Sequence, residues 1–157
     1  MGYFTRVFCK ANNRPSVKQI LDNLNSFGYS VTSNLNPDEL ESEDWANFEL
    51  NYKDGKLPIL VELNQLENSD GLAEEEIEEF KETIGKPGLF SLSKKKVLTQ
   101  LEKTKFILCN QLPISDIDDD GYDVNGELMQ IFVSECEGMI QCDGEGFYFG
   151  TKLILKE

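Results

Sequence analysis

The chain contains no histidine, no Cys-x-x-Cys pair and no long apolar run. Without histidine the commonest general acid–base residue is missing, and serine–histidine and cysteine–histidine catalytic sets are excluded outright. The four cysteines, at 9, 109, 136 and 142, lack the paired short spacings of a zinc ligand set. There is no Gly-x-x-x-x-Gly-Lys loop, and no Gly-x-Gly-x-x-Gly follows a predicted strand, so neither phosphate-cradling loop is present. No stretch approaches the roughly 20 apolar residues that span a bilayer. Met1-Gly2-Tyr3-Phe4-Thr5-Arg6 has no cationic segment followed by an apolar core, and Arg6 stands where a myristoylation signal carries Ser or Thr. These absences lead to the expectation of a reduced, cytoplasmic compartment.

Positive charge is the other shortage. Among 157 residues there are 15 Lys and Arg against 29 Asp and Glu, a formal net charge of −14. From Phe106 to Thr151 there is no base at all, while ten acids occur: Asp116, Asp118, Asp119, Asp120, Asp123, Glu127, Glu135, Glu137, Asp143 and Glu145. Nucleic acid and anionic membrane surfaces would repel such a chain, so neither is expected as a partner. A basic protein, a cation or simple solubility fits the balance. An apolar content of 39% with ten Phe belongs to a folded protein and not to a disordered acidic tail. The length fits one domain and suffices for a real core.

Hydrophobic periodicity divides the chain as follows. Tyr3 to Cys9 reads as a strand. Ser16 and Gln19 form a capping box ahead of Val17, Ile20, Leu21, Leu24 and Phe27 at helical spacing, and Gly28 stops that helix. Tyr29 to Ser33 reads as a short strand and 34–44 as a polar loop. Trp45 to Lys53 and Leu57 to Leu63 alternate around an Asp54-Gly55 hairpin turn, with Pro58 marking an edge or a strand start. Helices follow from about Ala73 to Ile84, rich in glutamate, and from Ser91 to Thr104, the latter carrying Lys94-Lys95-Lys96. Phe106 to Leu112 is a strand, a fourth helix begins near Asn125 and stops at Gly138, and Met139 to Cys142 pairs with one long strand from Phe147 to Leu155. Cys9 and Cys109 sit in apolar runs as small core residues, whereas Cys136 and Cys142 straddle a predicted helix end and leave a disulfide open.

The expected fold is therefore α+β. A single domain covers 1–157, with a mixed or mostly antiparallel sheet of about six or seven strands packed by about four helices. There is a hint of two similar halves, about 1–64 and 105–157, in topology only.

The densest acidic run, Asp116 to Glu127, resembles an EF-hand calcium loop over those twelve residues alone. The resemblance places Asp116, Asp118 and Asp120 at the short-spaced carboxylate positions, Gly121 at the sharp turn, Tyr122 at the backbone-carbonyl position and Glu127 at the final bidentate position. A hard divalent cation needs six or more oxygens, and alternate residues of a tight loop turn theirs inward. The run departs from the pattern in being preceded by a strand and in having Asp123 and Val124 at its eighth and ninth places. The plainer reading is an Asp-rich turn capping a helix. Calcium is thus a candidate cofactor, and no cofactor is required.

Two further readings concern partners and catalysis. Glu43, Asp44 and Trp45, together with Asp119 and Asp123, are candidate contacts for a basic protein, Trp45 being either an interface anchor or a core residue. Acidic stretches at 38–49, 74–82 and 116–145 would steer a cationic partner. In charge alone the composition is similar to that of bacterial immunity and inhibitor proteins, which neutralise basic toxins. The leading expectation is an acidic interaction module binding a basic protein. A calcium-binding protein is the alternative, and a carboxylate-based hydrolase is a second alternative; a non-enzymatic role is favoured.

Overall fold

A computed structural model describes residues 2–66 and 70–157. The elements run β1 (Tyr3–Cys9), α1 (Val17–Ser26), β2 (Thr32–Ser33), α2 (Pro37–Leu40), β3 (Asn47–Asn51), β4 (Ile59–Gln65), α3 (Leu72–Ile84), α4 (Leu92–Lys103), β5 (Phe106–Leu112), α5 (Asp119–Cys136), β6 (Gly138–Cys142), β7 (Gly146–Phe149) and β8 (Lys152–Lys156). The α+β class holds, with eight strands among the described residues where about six or seven were expected and five helices where about four were. All eight strands form one antiparallel sheet in the order β2-β3-β4-β5-β1-β6-β7-β8.

The extra elements have local causes. The stretch from Phe147 to Leu155 is broken into β7 and β8 by a turn at Gly150, whose φ of 61° is left-handed. Pro37 at the first helical position starts the one-turn α2 inside what reads as a loop. The largest revision is at α5, which starts at Asp119 and not near Asn125. The Asp118 side chain accepts from the Gly121 amide at 3.1 Å and caps the helix, so nine of the twelve residues of the acidic run, 119–127, are helical. Ser91 precedes α4 but does not cap it; its hydroxyl accepts from the Gly88 amide instead.

The central strands β1 and β5 are covered on both faces, which is why they read as near-continuous apolar runs. On one face α1 and α5 pack Ile20, Leu24, Val124, Leu128 and Phe132 against Val7, Leu50, Ile59, Val61 and Leu108. On the other, α3 and α4 pack Ala73, Ile77, Val97 and Leu101 against Phe8, Ile107, Met139 and Phe147. Each fully buried large side chain contributes roughly 1.5–3 kcal/mol.

The second layer is incomplete. It covers the β1–β6–β7 part of the sheet and leaves much of the β3–β4 face open, where Asn47, Glu49, Leu60 and Glu62 are exposed.

Both parts of the chain, 3–65 and 106–156, run strand, helix, three strands, apart from α2. Their meanders travel in opposite senses. The first enters at the sheet edge and runs inward to β4 beside β5; the second begins with β6 beside β1 and runs outward.

Candidate functional site

The period-2 alternation of β1 sends Phe4, Arg6 and Phe8 to the incomplete layer and Thr5, Val7 and Cys9 to the other. Cross-strand register then aligns a row of side chains: Glu62 on β4 opposite Cys109 on β5, Cys109 opposite Arg6, and Arg6 opposite Gln141 on β6. Arg6 is the only base in this row. Its Nε bonds the Glu76 carboxylate on α3, and its Nη1 donates to Gln141 Oε1 and Asp143 Oδ1, each at 2.7 Å. Its guanidinium also lies 5.3 Å from the Phe80 ring centre and 5.6 Å from that of Phe4. Burial opposes the Arg6 charge, but Glu76 and Asp143 more than restore it, and its pKa is raised.

Beside this row lie two adjoining cavities of about 440 and 280 Å³ that share Phe4, Glu62 and Cys109. Their walls carry Glu49, Glu62, Glu75, Glu76 and Glu79, and their apolar lining includes Phe4, Leu60, Leu72 and Phe80. Among the described residues no Lys or Arg forms an ion pair with Glu49, Glu62, Glu75 or Glu79. The result is an acidic trough with an apolar floor. Burial is the main cause pushing the Cys109 thiol up to about 12, so it is neutral at pH 7.

The acidic run from 116 to 127 is arranged differently from the expectation of an uncompensated surface. Lys53 Nζ lies 2.8 Å from Asp118 Oδ2 and 2.6 Å from Asp120 Oδ2, and Lys56 reaches Asp116. Asp116 Oδ2 also accepts from the Leu57 amide at 2.6 Å. The bases come from the β3–β4 turn, so three of the six acids of this run, Asp116, Asp118 and Asp120, are paired by residues some 60 positions away. Asp143 is paired with Arg6, and Glu145 accepts from the Tyr3 and Tyr148 hydroxyls at 2.5 and 2.8 Å. Tyr122 and Glu127 lie on α5 under helical and not loop geometry. Among the described residues no group of three acidic or cysteine side chains is arranged to hold a metal ion.

The predicted partner contacts differ in exposure. Trp45 is 6% exposed, donates its indole N–H to the Pro15 carbonyl at 2.9 Å and packs edge-on against Phe48, which makes it a core residue. Glu43 and Asp44 beside it are exposed, Asp44 lying 3.6 Å from Arg14. Asp119 and Asp123 are exposed on the first turns of α5. Cys142 does not meet Cys136; all four cysteines are free thiols. Of the basic cluster, Lys96 covers the Phe149 ring at 4.2 Å.

The trough residues were only partly visible in sequence, as members of the 38–49 and 74–82 stretches. The missing signal was the face of β4 opposite Ile59, Val61 and Leu63, which places Leu60, Glu62 and Asn64 together.

No protein-family model matches this chain, and no curated protein or solved structure matches it. No helix among the described residues is long and apolar enough to cross a membrane.

Proposed function

We propose that the protein is an interaction module that binds a basic protein, and that the trough between α3 and the open face of β3 and β4 receives it. The observation that carries this reading is the pairing of unneutralised glutamates with exposed apolar floor in two adjoining cavities. Such a surface matches a segment in which Lys or Arg alternates with apolar residues. The apolar floor supplies contact area, while Glu49, Glu62, Glu75 and Glu79 supply orientation and on-rate. This reading draws Glu49 from the first acidic stretch and Glu75 and Glu79 from the second, with Glu62 from outside both. In the third, four of the ten acids, Asp116, Asp118, Asp120 and Asp143, are ion-paired within the molecule by Lys53, Lys56 and Arg6. An inhibitor-like role toward a basic protein is consistent with the charge balance.

The test uses the protein and an E62K/E79K variant as paired baits, with a lysine- and arginine-rich amphipathic peptide as the defined probe in calorimetry. Wild-type binding should weaken steeply between low and physiological salt, because surface charges are screened over about 8 Å there. Charge reversal should weaken binding about tenfold or more and flatten the salt dependence. Binding that ignores both salt and the two reversals would remove the trough from consideration.

A further inference from the structure

The three most exposed large apolar side chains among the described residues sit within one short stretch. Residues 85–91 connect α3 to α4. Inside this connection the Ser91 amide donates to the Gly88 carbonyl, and the Gly88 amide donates to the Ser91 hydroxyl, both at 3.2 Å. The closure places Leu89 and Phe90 at the centre of a β-turn, 85% and 91% exposed. Leu92, at the start of α4, is 76% exposed. Apolar groups clustered in water in this way mark a surface that is covered by something else.

The same tip is basic. Residues 86–96 hold four lysines and no acid, in a chain of net charge −14. Lys96 covers the Phe149 ring, but among the described residues Lys86, Lys94 and Lys95 form no ion pair. The stretch Lys152–Lys156 has a similar composition, yet it is paired to β7 and packs Ile154 and Leu155 against the core. The tip thus has the composition that the trough was argued to receive. Its lysines complement Glu49, Glu62, Glu75 and Glu79, and its Leu89, Phe90 and Leu92 match the exposed Leu60 and Leu72. None of residues 85–92 lines the trough of its own chain.

We infer that the occupant of the tip is the trough of a second copy of this chain. The inference rests on the reading of the trough as a receptor for basic, apolar segments. The turn is already closed by its own hydrogen bonds, so little ordering is needed on docking. Phe90 supplies the aromatic anchor and the lysines fix the orientation. Two chains of net charge −14 repel one another at long range, so the contact is weak and forms at high protein concentration. A foreign basic segment then competes with the tip for the same glutamates, which makes self-association a regulator of the trough.

The test is sedimentation of wild type, L89S/F90S and E62K/E79K from micromolar to millimolar protein. The wild-type mass should rise from 17.8 kDa toward twice that value or beyond. Each variant alone should stay monomeric. The tip substitutions are fully exposed and leave the charge unchanged, and the trough substitutions reduce the overall repulsion, so neither loss has a trivial cause. An equal mixture of the two variants should associate again, because one contributes an intact trough and the other an intact tip. Wild type that stays monomeric, or a tip variant that associates as wild type does, would overturn the inference. If the lysine- and arginine-rich peptide still binds the trough in that case, only the self-contact is lost; if it does not, the trough reading falls as well. Tip-dependent binding to phosphatidylserine vesicles without self-association would assign the tip to a lipid surface and likewise overturn it.

Discussion

Arg6 on β1 and Glu76 on α3 are joined by an ion pair across the interface between sheet and helix, 70 residues apart in sequence. Their side chains are only 14% and 22% exposed, so the pair holds α3 over the sheet and forms the inner wall of the trough. Breaking one partner leaves the other charge in a poorly solvated place. Arg6→Leu should cost about 3 kcal/mol, because Glu76 and Gln141 both lose their donor. Glu76→Gln should cost about 1–2 kcal/mol, since Asp143 still accepts from Arg6. Denaturant melts of both singles and the double give the coupling. Costs that simply add would show that the two groups act independently.

Asp118 combines two roles, as cap of α5 and as partner of Lys53. The Lys53 ammonium is the main cause holding its carboxyl below the usual aspartate range, and the Gly121 amide adds to this. Asn caps as well as Asp, so Asp118→Asn removes the charge and keeps the cap, while Asp118→Ala removes both. D118A should therefore melt below D118N, and D118N below wild type. A depressed folded pKa stabilises above the unfolded value of about 3.9 and is lost as pH falls through the folded value. The gap between wild type and D118N should be full at pH 6 and close below pH 4. A gap that persists at pH 2 would assign it to something other than the carboxylate.

Local pattern and long-range pairing account for what was and was not legible in the sequence. The capping box of Ser16 and Gln19 forms as spaced, with Gln19 N to Ser16 Oγ at 3.2 Å and Ser16 N to Gln19 Oε1 at 2.9 Å. Alternation on β3 and β4 and the Asp54-Gly55 turn are likewise short-range, and each is present. The start of α5 was hidden because adjacent aspartates repel one another in isolation. Their neutralising lysines sit on a turn that no periodicity links to them. The trough was hidden for the same reason: Glu62 and Glu76 become neighbours in one cavity only once α3 crosses back over the sheet.

The arrangement of Lys53 and Lys56 has a consequence for calcium. An ion entering among Asp116, Asp118 and Asp120 must displace two ammonium groups and the Leu57 amide, and it gains no loop from residues already helical. Millimolar calcium should leave the melting temperature unchanged. A cation bound at 100 times its dissociation constant would stabilise by about 2.7 kcal/mol, which a thermal melt resolves easily. K53A/K56A restores free carboxylates and is the variant in which a calcium response would first emerge. A shift in the wild type would mean that the lysines yield to the metal.

Gln100 is the polar residue on which the junction of α4, β1 and α5 turns. It is 4% exposed, and its Nε2 donates to the Phe8 and Glu137 carbonyls, both at 2.9 Å. Glu137 closes α5 in a left-handed conformation at φ 53°, so its carbonyl has no continuing helix to serve it. Gln100→Leu keeps the volume and removes both bonds, and should cost about 1–3 kcal/mol through two carbonyls left without this donor. Gln100→Glu should be worse at pH 7, where a carboxylate faces two carbonyl oxygens, and should recover in acid, where the protonated group donates again. Here the buried carboxyl has a raised folded pKa, so its stability is present below the unfolded value of about 4.3 and lost as pH rises. Melts of the two variants from pH 3 to pH 8 test this. Equal pH profiles for Q100E and Q100L would show that the side chain does not face those oxygens in solution.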